Sequence, residues 1–376
     1  MAALTSALPQ LPGAAGAEVR GAAVPPPPPG RHLLALPEGV AADEVEVLAS
    51  STFRAARWER PPRIPSGRRV AGAARGPVPA ATAGVLRVGR LSTLTGPYGV
   101  EPAQVARWGL PAGARVAYVV DCPRERAPGP AFGGDRDGLR RAFGAAAPVR
   151  EEARVVQWLV AAARRLGGAV RTESGVVLEP EMDAALDLTV LTDRWIEPSA
   201  VLTAVRRVAP RARLGGAEPD VVTDEERPTP EQTGAALVAR ECVGVGIADE
   251  AERRRLHAEA DAYDAQMRAV PPPSEAFGVQ VDLGVDGIVA VEVSAEPDVP
   301  VVLAGLPWAQ GAVVAYRVHW AAPDLEQLES ERPSLPHRVA RGRAARVVRG
   351  VAREVHADVG GEIADMAGFL VDPVDL

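Results

Sequence analysis

Between residues 115 and 215 the apolar residues switch repeatedly between two spacings, and this alternation constrains the fold more than any other feature of the chain. The run VAYVVDC (116–122) has the β-branched and aromatic composition of a buried strand. PVREEARVVQWLVAAARRLGG (148–168) then changes to a helical period, with Val155, Val156, Leu159, Val160, Ala163 and Leu166 on one broad face. Glu151 and Glu152 fall in its first turn and Arg164 and Arg165 in its last, each sign favoured by the helix dipole, and Gly167 and Gly168 end it. Short strands are expected at 169–172, 175–178, 186–191 and 211–214. A second helix is expected over 197–208, with Pro198 in its first turn and Pro210 beyond its end. The order β-α-β-β-α-β is that of a ferredoxin-like plait. The expected class is therefore α+β, with a ferredoxin-like core (115–215) inside a first domain spanning 31–215. Such a fold hosts many activities and by itself assigns none.

The flanking regions read differently. Residues 1–30 end in five consecutive prolines and are expected to form a disordered, proline-rich arm. VEVLA (45–49) and VLRVGRL (85–91) are read as short strands. GAEPDVVTDEERPTPEQ (216–232) is acidic and broken by prolines, and is expected to be the linker to a second α+β domain, 233–376. That domain should carry a helix over 249–267 and a hairpin of FGVQVDLG (277–284) against GIVAVEVSA (287–295). Further strands are expected at 299–305 and 312–320, and a long closing helix from Leu335 to about His356. No internal repeat of fixed period is visible.

Composition removes several chemistries. The 376 residues contain neither lysine nor asparagine, so all 42 basic residues are arginine. Codons for both missing residues begin with two adenines, which points to a GC-rich gene such as high-GC bacteria carry. Without lysine there is no Schiff-base enzyme, no phosphate-loop lysine and no lysine general base. Two cysteines, Cys122 and Cys242, are too few for a disulfide framework, so a reducing cytoplasm is the expected location. The longest apolar run of note, VVQWLVAAA (155–163), is about half of a membrane span, and no membrane association is expected. A net charge of −7 disfavours general affinity for nucleic acid.

Candidate chemistry centres on GGDRDG (133–138). Asp135 and Asp137, joined by Asp121 after one strand and Asp193 after another, would make an oxygen-ligand set for a divalent metal and a hydrolase or phosphoryl-transfer site. The calcium-loop pattern fails, since Gly144 stands where its glutamate belongs. The favoured reading is that Asp135 or Asp137 caps a short helix over 138–144. Cys122 is read as an inert thiol. In the closing helix, Arg338, Arg346, Arg349 and Arg353, with Arg341 at the edge, gather opposite the apolar face, a surface suited to an acidic protein partner. The resulting expectation is a non-catalytic binding or scaffold protein without cofactor or resident metal. The metal-dependent enzyme is the first alternative, and nucleic-acid binding through the arginine helix the second.

Overall fold

The first strand to form a centre is one whose neighbours are distant in sequence. HLLALP makes β1 (His32–Pro37), buried along its first five residues, and it pairs antiparallel on one side with β5 (Ala114–Asp121) and on the other with β8 (Ala169–Arg171). The computed structural model describes residues 31–63, 82–129, 135–215, 251–252, 254–258 and 276–376. The proline-rich arm (1–30) and the acidic segment 216–232 lie outside these. Residues 251–252 and 254–258 are helical, within the helix expected over 249–267.

Strands β2 (Arg57–Arg60), β3 (Gly84–Arg87), β4 (Thr93–Gly99) and β9 (Val177–Leu178) complete a seven-stranded antiparallel sheet of order β2-β3-β4-β5-β1-β8-β9. Helices α1 (Ala42–Thr52) and α4 (Arg150–Leu166) pack on one face, where Val45, Leu48, Val155, Val156 and Leu159 meet Leu34, Leu36 and Tyr118. The other face is covered by the β4–β5 connection, in which α2 (Pro102–Trp108) brings Val105 and Trp108 against Leu33, Ala35 and Val119. An insertion follows β5: the hairpin β6 (Arg126–Pro128) with β7 (Ala146–Pro148), and between them α3 (Leu139–Ala142).

The second half builds a second sheet from β10 (Leu188–Thr192), β11 (Arg213–Gly215), β12 (Phe277–Asp282), β13 (Ile288–Glu296), β14 (Val313–Ala321), β15 (Glu362–Asp365) and β16 (Leu370–Val371). Its order is β11-β12-β13-β14-β10-β15-β16, again antiparallel throughout. Helices α5 (Pro198–Val208) and α7 (Leu335–Val359) cover one face, with the short α6 (Leu325–Leu328) before α7. The β13–β14 connection covers the other face through Leu303, Leu306 and Trp308.

The two sheets are the same unit made twice. Each runs strand, helix, four strands, helix, two strands, in the same spatial order. The step from Ala35 to Leu191 is the same as that from Val45 to Val201 and from Arg57 to Arg213. The registers agree: Ala35 faces Ala117 and Ala169 as Leu191 faces Ala315 and Glu362. After the last helix both units make one turn. Thr172 N–H donates to Val176 O and Gly175 N–H to Thr172 O, as Asp365 does to Phe369 and Gly368 to Asp365. Gly168 and Gly361 occupy matching places where the chain crosses the central strand. A Cβ there would collide with the carbonyl oxygen of Ala35 or of Leu191, so only glycine fits.

Several expectations are corrected. The α+β class holds, but residues 115–215 do not form one ferredoxin-like sheet: β5, β8 and β9 belong to the first sheet, β10 and β11 to the second. β10 pairs with β14 and β15 instead of β8, because partner choice depends on strands far away in sequence. The chain passes between sheets at 179–187. The expected junction near 216–232 falls inside the second unit, since β11 and β12, on either side of it, are adjacent strands. VEVLA (45–49) is helical: Val45, Leu48 and Ala49 lie at helical spacing on the buried side, with Asp43 and Glu44 in the first turn. VPVVLAG (299–305) forms turns over the second sheet. The repeat had no fixed period because its connections differ in length, 61–83 against 216–276 for the longest pair.

Candidate functional site

The four aspartates proposed as an oxygen-ligand set are dispersed. Asp121 ends β5 at the surface and pairs with Arg31 at 3.1 Å. Asp193 follows β10 in the other unit and is exposed. Asp135 Oδ1 accepts the Arg140 amide at 2.8 Å, satisfying a free N–H at the start of α3, and its own amide donates to Glu329 O. Asp137 is held by Arg164, with Arg136 Nε at 3.9 Å. Among the described residues no three His, Cys, Asp or Glu side chains come together as a metal ion would require.

The most buried polar constellation was not singled out from the sequence. It lies where the N-terminus of α4 meets the ends of β1, β5 and β8. Glu152, 1% exposed, receives Arg126 Nη2 on Oε1 at 2.5 Å and Arg126 Nε on Oε2 at 2.8 Å, while the Glu125 amide donates to Oε2 at 2.8 Å. His32 Nε2 stands 3.5 Å from Glu152 Oε1, and its Nδ1 accepts the Glu173 amide at 3.1 Å. An accepting Nδ1 carries no proton, so this network assigns the proton to Nε2, facing the carboxylate. Arg126 also bridges to Glu173 at 2.8 Å and lies over the Phe143 ring at 4.5 Å. Burial acts to raise the Glu152 pKa, but hydrogen bonds from His32, Arg126 and the Glu125 amide outweigh it and hold the carboxyl below its ordinary value.

Cys122 is half-buried beside this network. Burial first, then the charges of Glu152, Asp121 and Glu173, push its thiol up to about 12, despite the opposing pull of Arg126. A thiol so protonated is a poor nucleophile near neutral pH. Both His32 nitrogens are engaged, leaving neither free to take a proton from Cys122. The constellation is chemically saturated, and what it does well is hold α4, β1, β6 and β8 together.

The arginines of α7 separate into two sets. Arg341, expected at the edge of the open face, is 4% exposed and turned inward to Glu181 and, at 2.9 Å, Asp183; a helix as broadly buried as α7 takes its edge positions into the interior. Arg338, Arg346, Arg349 and Arg353 are exposed. Arg353 donates to Leu376 O at 2.9 Å, whereas Arg338, Arg346 and Arg349 make no ion pair among the described residues. Exposed Leu335 and Val339 lie on the same outward side, opposite buried Ala340, Ala344, Val348, Val351 and Val355.

Comparison with protein-family models, curated proteins and solved structures gives no match for this chain. No helix among the described residues is long and apolar enough to cross a membrane.

Proposed function

We propose that the protein is a non-catalytic binding or scaffold protein of the cytoplasm that engages an acidic protein partner through the outward face of α7. The observation that carries this reading is the shared exposure of Leu335 and Val339 with Arg338, Arg346 and Arg349, which make no ion pair among the described residues. Apolar anchors beside desolvatable guanidinium groups are what an interface core with a charged rim uses. The chain is acidic overall, so a row of exposed arginines is a local reversal of its charge. The saturation of the His32–Glu152–Arg126 network supports the non-catalytic part. The surface also lacks interleaved aromatic residues on which bases would stack, which favours protein over nucleic acid.

The test is affinity capture from the host cell with the full chain and with the variant Arg338→Glu/Arg346→Glu/Arg349→Glu, each with and without nuclease. The reading requires an acidic protein held by the wild type, released by salt, insensitive to nuclease and lost in the variant. Capture unchanged by the triple reversal would overturn it, and nuclease-sensitive capture would replace protein by nucleic acid as partner.

A further inference from the structure

The seam between the two units contains a cavity of about 380 Å³, in the size range of small-molecule sites and, like many of them, at an inter-unit boundary. Its apolar wall comes from both units: Leu139 and Trp158 from the first, Met366 and Phe369 from the turn between β15 and β16. Its charged wall consists of Arg136, Arg154 and Arg164 against a single carboxylate, Asp137.

These guanidinium groups have fewer acceptors than donors. Each offers five N–H bonds. Arg136 is given Ala184 O at 3.3 Å and a distant Asp137 oxygen at 3.9 Å. Arg164 is held by one oxygen of Asp137, and the Nε atoms of Arg136 and Arg164 are buried without a hydrogen-bond partner among the described residues. Burial accordingly pulls the Arg136 pKa down. Arg154 stands exposed, its guanidinium 5.5 Å from the centre of the Phe53 ring. The shared fold does not demand these residues, because Arg154, Trp158 and Arg164 of α4 fall at the positions of Val347, Val351 and Ala357 in α7.

We propose that this cavity binds a small organic oxyanion, its acidic head at Arg136 and Arg164, a flat apolar group against Leu139, Trp158 and Met366, and the exposed Arg154 contributing positive charge from the cavity's rim. Planar guanidinium forks match the geometry of carboxylate and phosphate oxygens, and the low-dielectric wall strengthens each contact. Asp137 keeps Arg164 in place and leaves the cavity with an excess of positive charge. This site is independent of the α7 surface, so either can fail while the other stands.

Calorimetric titration of the full chain with phenyl phosphate, inorganic phosphate and phenol tests it. Phenyl phosphate should bind saturably at millimolar concentration or below, and each half-probe should bind at least about tenfold more weakly. Arg136→Gln should weaken phenyl phosphate by about tenfold. Should that variant fold poorly, exposed Arg154→Gln provides the same reading, with a loss of about threefold. Heats of dilution alone, or equal affinity in wild type, Arg136→Gln and Arg154→Gln, would overturn the proposal.

Discussion

The two units solve the same packing problem with opposite chemistry. In the first, His32, Cys122 and Glu152 fill the space where the central strand, the fourth strand of the meander and the long helix converge. The register places Leu188, Trp320 and Ala345 at the same points of the second, all buried in its apolar core. The fold therefore closes over a charged network in one unit and over hydrocarbon in the other. A polar plug that the architecture does not require has its own consequence: it is stable only while every partner is present.

The largest effect should come from breaking that network. Glu152→Ala leaves Arg126, the Glu125 amide and His32 without their acceptor and should cost about 3–5 kcal/mol in chemical denaturation. Adding Arg126→Met should recover part of the loss, moving the first unit towards the apolar solution of the second. A double variant no more stable than Glu152→Ala would break the comparison. The same carboxyl gives the units opposite acid responses. Glu152 has a depressed folded pKa, so its contribution is present above its unfolded value of 4.5 and is lost as pH falls through the folded value. Asp187 and Asp365 in the second unit are raised mainly by burial, so their contribution grows on acidification and is lost as pH rises through the folded value. Hydrogen exchange followed from pH 5 downwards should show protection falling around α4 before it falls around β10 and β15.

Next in size are the matched glycines. Gly168→Ala and Gly361→Ala each force a methyl group into a central-strand carbonyl and should cost about 2–3 kcal/mol apiece. Gly361→Ala should be the costlier of the two, because Gly361 also has φ +85° whereas Gly168 is not left-handed. A larger cost for Gly168→Ala in thermal denaturation would mean that the two crossings are not equivalent.

Smaller, and of opposite sense, are the matched tyrosines. Tyr316 Oη donates to Arg194 O at 2.8 Å and accepts the Ile196 amide at 3.0 Å, whereas buried Tyr118 Oη has no partner among the described residues. Tyr316→Phe should cost about 1–2 kcal/mol and Tyr118→Phe should be neutral or slightly stabilising. The smallest effect belongs to the insertion that only the first unit has. Asp135→Ala should cost about 1 kcal/mol through the lost cap of α3, without altering the heat of Mg²⁺ or Ca²⁺ titration. Saturable metal binding abolished by that substitution would restore the oxygen-ligand reading of Asp135 and Asp137.

The repeat was present in the sequence in two short places. VAYVV (116–120) matches VAYRV (314–318), and LGGAVRTESGVVLEP (166–180) aligns without gaps on VGGEIADMAGFLVDP (359–373). Unequal insertions separate these stretches by different lengths, and a chain so rich in Ala, Gly and Val makes short matches unremarkable. The polar network was less legible still. His32, Arg126, Glu152 and Glu173 are scattered singly along the chain, and no spacing rule links residues that meet only when β1 lies between β5 and β8.

Local physics was enough for elements whose own residues decide their state. The periodic face and dipole-matched ends of α4 set its limits to within two residues of 148–168, and α7 was legible for the same reason. The β12–β13 hairpin followed from a tight turn between alternating runs. The sheet that each short strand joins was settled by tertiary structure alone. A period of two states which side of a strand is apolar but not which partner will cover it. That choice fell to distant pairings, such as β10 with β14, whose loop-closure cost is repaid only when an entire core closes around them.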